Sequence, residues 1–463
     1  MAKVLLVQPW IYQDEFVKDH DLAHEWRNGP YSLLLLASQL RKNGHQVLII
    51  DMSRNLVVLN GELEACLAKF SDSISNFKPD IIGFGFFSVH YLEVKKAVEV
   101  ARRICAKIGI KPLFIAGGIH ASVEPKGTIK DLGFDYAFVG EADLGIVQLA
   151  ESSNFETVPG VFGQESSSIV KGEEVKFLDS LPFPDWSMID FNFYAYPSFA
   201  KLKLKKSKSL DMIMGRGCSY KCAFCAYNAL SSIRFYSAGY LVEQIDYMKR
   251  EFDIDGIYFT DSSIGNNRRL LREFCELMLR RDTSSRVEWY GNLRPNQVNE
   301  EVLKLMWSAG CRFLFYGFES GSQRVLDLMN KYQTIEDNYI AAELHNKLKF
   351  PYHASMILGY PGEREEDILH TFEFLLKTKP PFIGINCYVP LPGSPDYDVM
   401  KAKGIIDATN HEEWRLIGQV NSSRVYADIP QERYRELVVQ ATQLANKTIP
   451  ADVYPEWKEK AYT

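Results

Sequence analysis

The chain has 463 residues, 46% of them hydrophobic and 24% charged, with a formal net charge of −6. That length exceeds one ordinary domain and leaves material for two or three real cores, and the apolar fraction excludes a disordered chain. No run of about 18 uncharged apolar residues occurs, which excludes a membrane-spanning helix, and the acidic balance argues against nucleic acid as a partner.

The opening Met1-Ala-Lys-Val-Leu-Leu-Val-Gln-Pro turns polar too quickly for a signal peptide and reads as a strand over Lys3 to Val7. A helix is predicted from Tyr31 to Asn43, ended by Gly44, then a strand from Gln46 to Asp51. A helix near Leu63 to Phe77 precedes a strand over Asp80 to Phe86, a helix over Tyr91 to Lys107 and a strand over Pro112 to Ala116; Asp135 to Val139 is expected to be the last strand of this half. Such alternation implies an α/β fold, a Rossmann-like parallel sheet spanning residues 1–150 with helices on both faces. Ligands of these sheets sit at the carboxyl ends of the strands. Those ends carry Gln8-Pro9, Phe87-Ser88-Val89-His90, Gly117-Gly118-Ile119-His120 and Gly140-Glu141. Glycines there let a bulky ligand approach the backbone. Taken singly, each pair is also simply a turn, and His90 and His120 read as hydrogen-bonded structural residues.

Residues 151–209 break the pattern with Pro159-Gly160, Leu181-Pro-Phe-Pro-Asp185 and Phe191-Asn-Phe-Tyr-Ala-Tyr-Pro197, the text of an ordered connector. Lys201-Leu-Lys-Leu-Lys-Lys-Ser-Lys208 fits a half-exposed edge strand, with an anionic substrate or membrane surface as the alternative use of its charge. From Leu210 the alternation resumes. Strands are expected at Met212 to Met214, Gly256 to Thr260, Val287 to Gly291, Phe313 to Gly317, His353 to Leu358 and Gly384 to Val389. Helices fall between them over Leu241 to Glu251, Asn267 to Arg280, Asn299 to Ala309, Ile335 to Leu348 and Glu366 to Thr378. Six strands fit a partial (β/α)6 barrel over residues 210–395, with active residues at the carboxyl ends of its strands. Residues 396–463 read as a helical C-terminal region, including Gln431 to Lys447, placed to cover the barrel mouth.

The densest chemical signal is Cys218-Ser-Tyr-Lys-Cys222-Ala-Phe-Cys225, directly after Gly215-Arg216-Gly217. Three closely spaced thiolates can hold three irons of a cubane iron–sulfur cluster and leave the fourth open to an outside ligand. A zinc ribbon needs a second ligand pair close to the first, and the chain has no second Cys-x-x-Cys. Cys66, Cys105, Cys275, Cys311 and Cys387 are scattered singly, as suits a reduced, cytoplasmic setting. The bland alternative is three buried thiols packing as small hydrophobes.

The triplet, with aromatic Phe224 just before its third cysteine, resembles the signature of the radical S-adenosylmethionine (SAM) superfamily. That resemblance implies a [4Fe-4S] cluster on Cys218, Cys222 and Cys225, with SAM chelating the free iron and a 5′-deoxyadenosyl radical formed on reduction. A low-potential electron donor such as flavodoxin or ferredoxin is the implied partner. It further assigns SAM contacts: Phe224, then Asp261 and Ser262 in Thr260-Asp-Ser-Ser263 near the methionyl amine. Glu319 and Ser320 in Gly317-Phe-Glu-Ser-Gly321 follow near the ribose or amine, and Gly359 in Ile357-Leu-Gly-Tyr-Pro-Gly362 near adenine. Each is otherwise a strand cap and turn. Arg294 is a candidate anion contact or a structural ion pair.

The first half resembles the cobalamin-binding domain that precedes many radical SAM cores. Ser88, Gly117 and Gly118 match the places that accommodate the nucleotide tail, with Gln8, Pro9, Gly140 and Glu141 at the same strand ends. The Asp-x-His-x-x-Gly motif is absent, since His20 and His24 lack the following glycine and read as surface residues, so cobalamin would carry no protein histidine on cobalt. The alternative is a nucleotide-like fold that binds nothing. Together the two resemblances imply a cobalamin-dependent radical SAM methyltransferase, working through the 5′-deoxyadenosyl radical and methylcobalamin on an unactivated carbon or phosphorus of a small molecule. The same cofactors also serve cyclisation, ring contraction or oxidation without methyl transfer. A non-catalytic cobalamin or iron–sulfur carrier is the reading from another class. A methylthiotransferase would need a second three-cysteine cluster in the first half, where only Cys66 and Cys105 occur.

Overall fold

The computed structural model describes residues 1–10, 29–195, 208–229, 232–283, 286–416 and 425–448. His20, His24 and the basic strand expected over 201–207 lie outside the described residues. The chain divides into two units. One comprises Met1–Phe199, Cys225–Tyr236 and Leu391–Arg415; the other comprises Ala200–Phe224, Ser237–Pro390 and Leu416–Thr463.

In the first unit, β1 (Lys3–Gln8), β2 (Gln46–Asp51), β3 (Ile81–Gly85), β4 (Leu113–Gly117), β5 (Tyr136–Phe138) and β6 (Val161–Gly163) form one sheet ordered β2-β1-β3-β4-β5-β6. The first five are parallel, as expected. Chain progress reverses between β1 and β3, the switch point where a doubly wound sheet opens a crevice beyond its carboxyl ends. Sequence had placed the last strand at Asp135 to Val139, and β6 corrects this: it runs antiparallel to β5 through Tyr136↔Gly163 and Phe138↔Val161. Three residues are too few to show a period, so the strand is hidden in the connector's text.

Helices pack on this sheet because each carries one apolar stripe. Leu63–Phe77 buries Cys66, Leu67, Phe70 and Ile74, and Tyr91–Ile108 buries Val94, Ala97, Val98, Ala101 and Cys105 before Gly109 ends it at φ +76°. Between them and the sheet lies an aromatic core in which Phe84 meets Phe70 and Phe134 edge-on, with ring centres 6.3 and 5.6 Å apart. Two later segments return to the unit. Arg234 pairs with Glu141 and also donates to the Val175 carbonyl at 2.6 Å, while Arg415 pairs with the buried Glu93 at 2.5 Å.

The second unit is built on β7 (Ser209–Met212), β8 (Gly256–Phe259), β9 (Glu288–Leu293), β10 (Cys311–Glu319), β11 (Tyr352–Leu358) and β12 (Phe382–Cys387). All six are parallel and lie side by side in sequence order, the (β/α)6 arrangement. Inward positions stack in layers. Tyr290, Phe313 and Phe382 make a buried floor. Above it Tyr258 stacks on Tyr290 at 4.6 Å, and Phe315 lies 5.5 Å from the His353 ring. Toward the carboxyl ends the lining turns polar: Tyr258 Oη donates to Asn292 Oδ1 at 3.4 Å, and Asn386 donates to Ser355 Oγ at 3.1 Å. No helix among the described residues is long and apolar enough to cross a membrane.

Candidate functional site

The cysteine loop leaves the second unit's sheet just past β7, and a buried carboxylate fixes its root. Asp261, two residues beyond β8, accepts the backbone N–H groups of Met214 (2.8 Å) and Gly215 (2.9 Å). Burial pushes its carboxyl up to about 7, against the pull of those bonds. Cys222 is buried, Cys218 and Cys225 are half-buried, and all three thiols are free of disulfides. Cys225 opens the segment that belongs to the first unit. Among the described residues no three His, Cys, Asp or Glu side chains are gathered as a metal site; the three thiols are soft donors on one loop.

Two cations stand beside this loop. The Arg294 guanidinium, just after β9, lies 3.7 Å over the Tyr220 ring, donates from Nη1 to Cys222 Sγ at 3.4 Å and from Nη2 to the Lys331 carbonyl. Lys331 in turn pairs through Nζ with Glu319 Oε1 at 2.6 Å and lies 5.6 Å from the Phe224 ring centre. Glu319 ends β10 at φ +63°, after a register shift opposite β11. Of the remaining strand-end residues, Ser320 is buried and its hydroxyl accepts the Ser322 N–H at 3.1 Å, whereas Ser262 is exposed. Gly359, at φ +82°, donates its N–H to Glu363 Oε2 at 2.6 Å, and a Cβ there would run into the Tyr434 hydroxyl. Burial pushes Glu363 up to about 8. The expected contacts thus gather at the carboxyl ends of β8, β10 and β11, yet Asp261 and Ser320 spend their side chains on the protein's own backbone. Lys331, Tyr220 and Glu363 escaped the sequence reading, because each acquires its role from a partner that no local pattern reveals.

In the first unit Gln8 ends β1 and the buried Pro9 follows it; Ser88 opens a single turn after β3; Gly117 ends β4; Gly140 and Glu141 follow β5. Gly118 has a packing reason of its own. At φ +89°, a Cβ would lie 2.7 Å from both the N and the O of Phe86. Ser88 Oγ is 2.9 Å from His120 Nδ1, and the His120 ring is enclosed by Phe86, Tyr91 and Trp414 at 5.2 to 5.5 Å. Burial holds that imidazole down to about 3, so it is neutral. Glu141 is bound to Arg234, and Phe87, 55% exposed, presents a bare ring at the end of β3.

Comparison with known proteins agrees with this layout. The family model described as the radical SAM superfamily matches residues 212–375, and that of the B12 binding domain matches residues 28–150. An uncharacterized methyltransferase, PH0819 of Pyrococcus horikoshii, is 24% identical over 407 residues, covering 84% of this chain and 82% of that one. Anaerobic magnesium-protoporphyrin IX monomethyl ester cyclase of Cereibacter sphaeroides is 25% identical over 348 residues, covering 72% of this chain and 55% of the cyclase. Among solved structures, the radical SAM methyltransferase TsrM of Kitasatospora setae, with cobalamin and a [4Fe-4S] cluster bound, superposes with a TM-score of 0.66 at 17% identity over 87% of this chain and 75% of TsrM. The same enzyme with tryptophan substrate and a SAM analog superposes at 0.68, with 16% identity over 88% of this chain and 78% of TsrM. The chain therefore carries a radical SAM domain with a B12 binding domain ahead of it, and is a radical SAM enzyme whose cofactors are a [4Fe-4S] cluster, SAM and cobalamin.

Proposed function

We propose that the protein transfers a methyl group from SAM to an unactivated carbon or phosphorus of a small molecule. The reading rests on one observation above the others: PH0819, a relative matched over 82% of its own length, is named a methyltransferase. When bound, the cluster supplies electrons for reductive cleavage of SAM and cobalamin carries the methyl group.

The donor chemistry of this chain suits those groups. Cys218, Cys222 and Cys225 would hold the cluster through soft thiolates. Phe224, Asp261, Ser262, Glu319, Ser320 and Gly359 would frame SAM. Asp261 does so by holding the Met214–Gly215 turn, and Glu319 by the direction that Lys331 gives its carboxylate. Residues 1–150 would take cobalamin along the β1/β3 crevice, with Gln8, Pro9, Ser88, Gly117, Gly118, Gly140 and Glu141 as its rim. Ser88 approaches with its hydroxyl already oriented by the neutral His120. Polar but uncharged groups on the inner face of the barrel, Asn292, Ser355 and Asn386, would orient a substrate by hydrogen bonds.

The test is anaerobic reconstitution with iron, sulfide and cobalamin, followed by reduction in the presence of methyl-labelled SAM and candidate small molecules. Formation of 5′-deoxyadenosine together with label in the product is expected; reduction that yields no 5′-deoxyadenosine sinks the radical reading. A second reading, ring formation without methyl transfer, draws on the likeness to the cyclase. It requires product that carries no label while 5′-deoxyadenosine accumulates.

A further inference from the structure

Arg294 is 6% exposed, and among the described residues it makes no ion pair with any carboxylate. Its three nitrogens are accounted for one by one. Nη1 faces Cys222 Sγ at 3.4 Å, Nη2 is bonded to the Lys331 carbonyl, and Nε is buried without a hydrogen-bond partner. The face of the guanidinium is covered by Tyr220 at 3.7 Å. A guanidinium does not shed its proton to escape burial, so a buried one without an anion is costly and calls for negative charge nearby. The other cation of the site does not share this need, since Lys331 already has Glu319 at 2.6 Å. What lies against Arg294 is a cysteine of the cluster loop. Three thiolates and four sulfides around four irons leave a [4Fe-4S] cluster with a net charge of about −1 when oxidised and about −2 when reduced, and this is the anion the site otherwise lacks.

We propose that Arg294 is the counter-cation of the cluster at its Cys222 corner and sets the cluster's reduction potential. The inference rests on the cluster assignment to Cys218, Cys222 and Cys225. A hydrogen bond and a positive charge directed at one thiolate stabilise the more negative, reduced state, so Arg294 raises the potential relative to the same cluster without it. Tyr220 and the Lys331 carbonyl hold the fork in place, which makes Arg294 a positioning and electrostatic residue and not a catalytic one.

The experiment compares the full-length reconstituted wild type with R294Q and R294K by iron and sulfide analysis and by the midpoint potential of the cluster, followed by electron paramagnetic resonance. R294Q is expected to hold a full complement of iron at a more negative midpoint, with R294K restoring part of the difference. An unchanged midpoint in R294Q at full iron content overturns the proposal. So does an unchanged midpoint accompanied by weaker SAM binding, which would assign the guanidinium to the methionyl carboxylate instead. Should R294Q retain too little iron for potentiometry, R294K supplies the reading: a midpoint equal to that of a similarly loaded wild type refutes the role. A wild type that takes up no cluster at all is a different result, and it removes the cysteine assignment beneath.

Discussion

Two buried glutamates in the second unit show how the partner decides what a carboxylate does. Glu319 has the Lys331 ammonium at 2.6 Å, whereas Glu363 accepts only the N–H groups of Gly359 and Tyr360 on Oε2 and leaves Oε1 without a hydrogen bond. Burial therefore raises Glu363 from an unfolded value of 4.5 to about 8 in the folded chain. The native state holds a proton there that the unfolded state releases, so this group's stabilisation is full below about 4.5 and is lost as pH rises through 8. Melting temperatures measured from pH 6 to pH 9 are expected to fall more steeply for the wild type than for E363Q; parallel profiles would refute the assignment. Asp261, raised to about 7 by the same burial, adds a slope of the same sign in both proteins and cancels from the comparison.

At the level of elements, backbone approach matters more than side-chain chemistry. Gly118 closes the turn after β4 onto the Phe86 backbone at φ +89°, where an alanine would meet both a 2.7 Å approach and a disfavoured conformation. G118A is expected to lower stability by about 1–3 kcal/mol, the usual cost of a strained backbone position, visible as a lower urea midpoint. An unchanged midpoint would mean the turn has slack. Because the same turn belongs to the expected cobalamin rim, bound cobalamin per folded chain should drop as well. Periodicity found the long elements almost residue for residue: the strand Gln46–Asp51 and the helices Leu63–Phe77 and Ile335–Leu348 stand as predicted. It missed Met52–Val58, Gly118–Val123, Pro125–Leu132 and β6, since seven, six, eight or three residues do not complete enough turns or alternations to be distinguished from loop.

On the scale of the whole chain, the cysteine triplet and the proposed cobalamin rim draw on different residues, which separates two occupancies in one measurement. A triple variant, C218S/C222S/C225S, is expected to lose its iron while keeping cobalamin near the wild-type ratio and an unchanged circular dichroism spectrum. Iron retained by that variant would place the cluster elsewhere. The path of the chain through the units was the least legible feature. Residues 396–463 read as one helical cap, but Leu391–Arg415 belongs to the first unit, where Arg415 neutralises Glu93 and Trp414 covers His120, and only the stretch from Leu416 belongs to the second.

Sequence by itself determined the alternation of strands and helices, the division into a doubly wound sheet and a (β/α)6 barrel, and the three cysteines, because apolar period and donor spacing are local properties written along a few neighbouring residues. Only the tertiary structure decided that Arg294 lies against Cys222, that Lys331 claims Glu319, that Asp261 holds the root of the cysteine loop and that Ser88 leans on His120. Those pairs are 12 to 72 residues apart in the chain, and their energies come from shared burial and directed charge, which exist only once the strands bring the partners to one edge.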